Sequence, residues 1–347
     1  MIKNYKKYLV LISVVLFVFV AIVFLFTYVF QLQVPAIKTV QKFLHLPALI
    51  VDGNWISLTE IEDDVNSIKQ FYENQDFSKF GIRVDFDTPD GKKRLKIQER
   101  RMLNKLVEDT AIAEIAKEWG ISVSDEAVKT AMERPMKETG SEEAVKTRLK
   151  DLYGWSLDEF GDKVVYKQLL RDRVIEEFNK RNKITDDMRK RINDAKKELD
   201  DGRDFADVAK KYSEGSSAQT GGIMGWFNEF QLQDEIGKKV FELPKGEYTD
   251  IIETPIGLHI VKVNDIMDTD GKKLVHVSQI VVKKQTFADF LSDKIKQMTV
   301  NIFIPEYKWD AESGFIVFVD DDMIKFEEEV TKENSYGDIF EFDKEKT

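Results

Sequence analysis

The residues able to do chemistry in this chain are few and widely spaced. There are three histidines, His45, His259 and His276, and no cysteine. Without cysteine there is no thiolate nucleophile, no disulfide and no sulfur-ligated metal site. A three-histidine site would need all three rings, from regions that read as separate units, so no metal is expected. No G-x-S-x-G or H-E-x-x-H string occurs, which removes the signatures of common serine hydrolases and zinc peptidases. The most informative local pattern is KKYSEGSSAQTGGIMGWFNEF, residues 210–230. Its glycines are not followed by the Lys-Ser/Thr pair of a phosphate loop, so it is not a nucleotide cradle. A turn needs one glycine and a strand interior usually wants none. The run therefore marks a place where backbone closely approaches backbone, or where a ligand approaches a sheet.

The elements that must position these residues follow from periodicity and caps. In 347 residues two or more domains can each bury a core. The net charge of -11 argues against a nucleic-acid binder, which needs a basic face, and the many carboxylates read as solvated helix surfaces. Residues 48–51 read as a short strand, Asp52-Gly53 as a turn, and Ser57-x-x-Glu60 as the capping box of a helix. A long helix over 92–119 carries Leu95, Met102, Leu106 and Ala113 on one stripe, read as ordinary core, and ends at Gly120. Ser124 opens another helix, and Ser156-x-x-Glu159 opens one that runs to about Phe178. From Thr185 the texture changes to α+β: a charged helix over 186–200, a short one over 205–212, and the glycine-rich strand. A helix near 234–242 and strands at 248–253 and 258–263 follow, with Pro255 to Gly257 as the turn between them. Residues 274–282 are strongly β-forming and lead to a helix near 287–296 and a β-like run at 300–304.

At the N-terminus, residues 8–30 (YLVLISVVLFVFVAIVFLFTYVF) carry no charge. As a helix these roughly 23 residues would span about 35 Å, enough for a hydrocarbon core of about 30 Å. No small-residue cleavage site follows, so an uncleaved anchor is expected. Lys3, Lys6 and Lys7 precede the run and Lys38 and Lys42 follow it, so the positive-inside signal favours a cytoplasmic N-terminus only weakly. The bulk of the chain is then expected outside the cell membrane, after a single pass.

The run from Phe205 to Val263 resembles the parvulin (PpiC-type) family of peptidyl-prolyl cis-trans isomerases. The likeness rests on YS-x-x-x-S-A, the GG-x-x-GWF strand, F-x-L-x-x-GE and the closing G-x-HI-x-KV, in that order. Upstream, PALIVDGNWISLTEIE with its long helices resembles the chaperone module of SurA-like and PrsA-like foldases. Together the two likenesses cover most of residues 47–265. They imply an α+β fold: membrane anchor, all-helical chaperone module and a parvulin-like antiparallel sheet. The expected division is 1–31 stub and anchor, 32–46 linker, 47–183 helical module, 184–267 isomerase-like domain, 268–310 strand-helix-strand, and 311–347 acidic, mobile tail. By the same likeness Thr254, His259 and Gln279 form the polar side of the site. Leu232, Ile236 and Phe227 line an apolar proline pocket, with Trp226 and Met224 beside them. Helix core is the alternative role for Leu232 and Ile236, as is a structural strand histidine for His259.

The sequence also departs from that family. Its sheet normally begins with a strand ending Ser-His-Ile-Leu, and no such strand precedes Thr185. VHVSQIVV, residues 275–282, resembles it from the C-terminal side, which implies a circular permutation; the alternative is a separate small domain. In that copy Gln279 stands at the family's first histidine, and Gly215 at its Cys or Asp. His276 is an odd number of residues from Gln279, so it belongs on the opposite sheet face. The functions to be distinguished are a foldase that isomerises prolyl bonds, a holdase that binds unfolded, proline-containing segments, and a passive membrane scaffold. No cofactor is needed for any of them.

Overall fold

The computed structural model describes residues 14, 18, 21–29, 35–75, 85–139, 141–269 and 271–333. The chain divides into two compact units, one made of residues 1–174 with 288–347 and the other of residues 175–287. The second unit is thus an insertion, in sequence, within the first. The boundaries expected near 183 and 267 fall instead inside the helix Lys167–Arg181 and at the start of the helix Phe287–Lys296.

The first unit is mainly helical but not all-helical. Strands β1 (Pro47–Val51) and β2 (Asn54–Ser57) form a hairpin whose turn, Asp52-Gly53, has positive φ at both residues. That is the geometry a two-residue hairpin needs, and Asp-Gly supplies it at little cost. The other edge of β1 is taken by a strand from residues 300–302, so the sheet contains two distant pieces of sequence. The capping box of Ser57 and Glu60 starts the helix Leu58–Asn74, and the long helix Pro89–Trp119 ends at left-handed Gly120. Its buried residues include Leu103, Val107, Ala111 and Ile115. The expected stripe is half-buried at Leu95, Met102 and Leu106, and exposed at Ala113. The covered stripe runs one residue later from Leu103 onward, a rotation of about 100° on the helix.

Two other expectations are corrected in this unit. The linker expected at 32–46 contains the helix Pro35–Leu44, which ends where His45 takes a positive φ. Proline at the first helical position costs no hydrogen bond, since that N–H has no partner in a helix. Within the tail expected at 311–347, residues up to 333 are structured. Tyr307–Asp310 pairs with Phe315–Phe318, and the helix Asp321–Glu333 packs on the long helix through Arg100 and Glu327 (2.5 Å). Residues 334–347 lie outside the described residues. So does most of the expected anchor at 8–30. Among the described residues no helix is long and apolar enough to cross a membrane.

The second unit is built on a four-stranded antiparallel sheet. In chain order its strands are β3 (Ile223–Phe227), β4 (Ile252–Thr254), β5 (Gly257–Thr269) and β6 (Lys272–Lys283), arranged β3-β6-β5-β4. The strand containing residues 275–282 is therefore paired on both sides, with β3 and with β5. Of the strand expected at 248–253, Ile252 and Glu253 fall in β4, and Tyr248 makes a single bridge to Lys262. Alternation divides the sheet into two faces. Leu258, Ile260, Ile280 and Val282 pack with Ile192, Leu199, Phe205 and Val208 from the helices Asp186–Asp200 and Phe205–Tyr212. Val261, Val263, Val275 and Val277 point the other way and pack with Ile236 and Val240 of the helix Asp234–Val240.

Candidate functional site

The glycine pair before β3 explains how this sheet closes. Gly221 and Gly222 both have positive φ, +75° and +79°. A Cβ on Gly222 would stand 2.4 Å from the carbonyl oxygen of Gln279, and one on Gly221 would stand 2.6 Å from Cβ of Ala206. Real side chains do not fit at either distance. The carbonyl of Gly222 accepts from the N–H of Gln279 at 2.8 Å, so the close approach continues the β-ladder past the end of β3.

Gln279 is also where the polar side chains of the sheet meet. His259 and Gln279 lie on adjacent strands, two positions apart in the β5–β6 register (His259 opposite Val281, Gln279 opposite Val261), and so share a face. Gln279 Nε2 is 2.6 Å from His259 Nδ1, and His259 Nε2 is 2.7 Å from Thr254 Oγ1. An amide nitrogen only donates, so Nδ1 accepts and the ring proton sits on Nε2, which donates to Thr254. Thr254 in turn donates to the carbonyl of Gly257 and accepts from the N–H of Ile256. The result is a directional relay, Gln279 to His259 to Thr254, with every imidazole nitrogen satisfied.

His259 is 0% exposed, and burial pushes its pKa down to about 4. At neutral pH it is an uncharged ring in one tautomer. Its cross-strand neighbours are Ile252 and Val281. A ring so enclosed has no exposed surface of its own to offer a ligand. Half-buried Gln279 is the member of the relay with access to the surface. Gly215 borders the same place, since a Cβ there would lie 3.1 Å from Cγ1 of Val281.

The apolar candidates separate into two groups. Ile236 is buried, and Phe227 and Leu232 are partly buried against the cluster of Ile252, Val261, Val263 and Val277. They share the sheet face of His259 and Gln279. Trp226 does not: it is the cross-strand partner of His276, 42% exposed, with its ring edge-on to that imidazole at 5.3 Å. Consecutive strand residues alternate in direction, so Trp226 and Phe227 cannot floor one pocket together. Met224 sits at the bulge between Ile223 and Gly225 and is 41% exposed, so it is not part of the packed cluster. His276 is held by Asn264, which also donates to Ser278, on the face away from Gln279.

Two residues of this region carry no signal that a periodicity reading detects. Phe230, in the short turn Glu229–Gln231 beside Leu232, is 95% exposed. Thr249 is buried and accepts from the N–H of Val261, fixing the chain outside β5. Among the described residues no three His, Asp or Glu side chains gather to hold a metal ion.

Comparison with known proteins places these features in context. The PPIC-type PPIASE domain matches residues 174–265, and the SurA-like N-terminal domain matches residues 1–192. Chaperone SurA of Chromobacterium violaceum is 32% identical over 35% of this chain and 29% of its own length. Foldase protein PrsA of Oceanobacillus iheyensis is 29% identical over 42% of this chain and 47% of its own, and that of Bacillus subtilis 41% identical over 21% and 26%. The match thus spans less than half the length of each of these relatives. A crystal structure of a PrsA peptidylprolyl isomerase from Bacillus anthracis aligns over 67% of this chain and 97% of its own at 18% identity and a TM-score of 0.20, too low to argue a fold. The SurA-like match alone runs through more than half of the residues, and on that ground the chain belongs to the family of the SurA-like N-terminal domain.

Proposed function

We propose that the protein is a foldase whose second unit accelerates cis-trans isomerisation of prolyl bonds in unfolded polypeptides. The observation that carries this reading is the Gln279–His259–Thr254 relay set on the same sheet face as Phe227, Leu232 and Ile236. Rotation about an X-Pro bond meets a barrier of about 18–20 kcal/mol because twisting removes amide resonance. The twisted amide is less dipolar than the planar one, so a site that holds the prolyl ring against apolar side chains favours it. No covalent step is required. The buried, neutral histidine is then a positioning residue that fixes Gln279, and Gln279 meets the substrate. In this reading β6 stands for the first strand of the parvulin sheet, supplied from the C-terminal side. Its place between β3 and β5 supports that permutation.

The same proposal includes a membrane anchor over residues 8–30 and an extracytoplasmic location for both units. The charge-free run of that segment supports it. Protease accessibility of the chain in sealed vesicles tests the topology separately from the activity.

A holdase without isomerase activity is the second reading. It is favoured by Gln279 and Gly215 at positions where the parvulin pattern has ionisable groups. NMR exchange of a proline tetrapeptide, with the full chain in detergent, distinguishes the two. Faster exchange that His259→Ala lowers supports the isomerase. Unchanged exchange from a chain that still suppresses client aggregation leaves the holdase.

A further inference from the structure

The first unit has an aromatic groove that the prolyl-bond chemistry does not use. Its volume is about 440 Å³, and Phe71, Tyr72, Met102, Leu106, Tyr153 and Trp155 are among the side chains lining it. The aromatic wall is fixed. Tyr153 stacks on Phe71 at 5.1 Å and on Trp155 at 4.9 Å, and Trp155 donates to Ser67 at 2.8 Å. Pre-positioned rings bind apolar groups with little entropy loss.

The rim is cationic. Lys105, Lys163, Lys167 and Arg171 line it together with Asp64 and Asp109, and Arg171 is paired with Glu108. Asp64 pairs with Lys163 at 2.5 Å, whereas Asp109 is shared by Lys105 (3.3 Å) and Lys167 (3.0 Å). Two lysines on one carboxylate leave positive charge for an occupant. The fitting ligand is therefore an extended segment with aromatic side chains interleaved with acids.

The chain itself contains such a segment. Residues 336–343 read YGDIFEFD: Tyr336, Ile339, Phe340 and Phe342 alternate with Asp338, Glu341 and Asp343, with no basic residue. Two residues separate it from the helix Asp321–Glu333, whose Phe326 lies under Lys93 and Arg94 of the long helix. The next residue of that helix, Leu95, packs on the cluster of Phe71, Tyr72 and Phe86 that adjoins the groove. From Phe326 to Glu333 the helix rises about 10 Å, and seven extended residues from Glu333 to Phe340 reach up to about 24 Å. The tether is long enough to turn back past its own helix.

We infer that residues 336–343 dock in this groove, with Phe340 and Phe342 against the Phe71–Tyr153–Trp155 wall and the acids at the lysine rim. The groove is then occupied in cis until a competing segment displaces the chain's own. The docking does not depend on isomerase activity; only its competition with clients rests on the foldase reading.

Photo-crosslinking in the full chain tests it. With p-benzoylphenylalanine at position 340, the expected product is an intramolecular link to the peptides containing Met102 and Leu106, or Tyr153 and Trp155. Links elsewhere in the chain, only between two chains, or none at all would overturn the inference. A second measurement uses the synthetic peptide 334–347 as probe. The F340S/F342S chain should bind it about tenfold more tightly than the unaltered chain, because the resident competitor is weakened. Adding Met102→Asp should remove that binding. Equal affinity for the two chains, or no binding to either, would sink the proposal. Neither measurement reads prolyl exchange, so failure here leaves the isomerase proposal standing, and the reverse.

Discussion

The carboxamide of Gln279 lies 2.6 Å from Nδ1 of His259, and this pair sets the proton on the far side of the ring. A carboxylate in the same place would reverse the electrostatics. Gln279→Glu is expected to raise the His259 pKa from about 4 by about 1–3 units, since a nearby anion favours imidazolium. Ring-proton NMR shifts of His259 against pH read this directly. An unmoved titration would mean that Gln279 does not contact Nδ1.

The buried ring also makes stability pH-dependent, in a direction that follows from the sign of its shift. His259 titrates near 6.5 when unfolded and near 4 when folded, so between these values the unfolded chain binds more protons. Its contribution is full above pH 6.5 and is lost as pH falls to about 4, on the order of 3 kcal/mol in all. Urea unfolding of the wild type and of His259→Gln should give stability curves that converge over that window. Parallel curves from pH 7 to 4 would contradict a neutral buried imidazole.

Glycine at 222 is required for two separate reasons, and a second glycine isolates one of them. Gly120 has φ +71° and open space where a Cβ would go, so Gly120→Ala should cost about 1 kcal/mol for the left-handed backbone alone. Gly222→Ala adds a collision with the Gln279 carbonyl oxygen and should cost about 3 kcal/mol or more. Equal losses in chemical denaturation would show that the β6 backbone gives way freely.

Local signals in the sequence carried much of the helical framework. Ser57 with Glu60, Ser156 with Glu159, Thr185 and Asp204 all cap helices, because a side-chain oxygen next to free N–H groups acts over a few residues only. What periodicity did not reveal is non-local or degenerate. The pairing of Leu49 with Ile302 joins residues about 250 apart, and nothing in either segment names the other. The helix Asp321–Glu333 was hidden by its acids, which resemble a solvated tail until Arg100 and the Phe326 contacts are seen. Met102 and Leu106 read as core because a groove wall and a core stripe share one spacing. The meeting of Thr254, His259 and Gln279 spans three strands, so family likeness could suggest it and spacing could not. Trp226 shows the opposite case: strand alternation alone separates it from Phe227, whatever the likeness suggests.

Where the C-terminal hairpin meets the long helix, one side chain imitates a strand. Asn104, on the long helix, donates from Nδ2 to the carbonyl of Ile316 at 3.0 Å and accepts from the N–H of Ile316 at 2.7 Å. Arg100 adds a second bond to that carbonyl, at 3.0 Å. Ile316 is fully buried, so water cannot replace a lost partner. Asn104→Ala should therefore cost about 2–3 kcal/mol, more than an exposed asparagine, through an unsatisfied backbone N–H. Asn104→Asp keeps the acceptor but loses the donor, and Arg100 still serves the carbonyl, so its cost should be smaller. Amide hydrogen exchange at Ile316 separates the two expectations: protection falls steeply in the alanine variant and is largely kept in the aspartate one. Undiminished protection in both would mean that the hairpin holds its place without Asn104, and that the apolar contacts of Ile316 and Phe318 are sufficient.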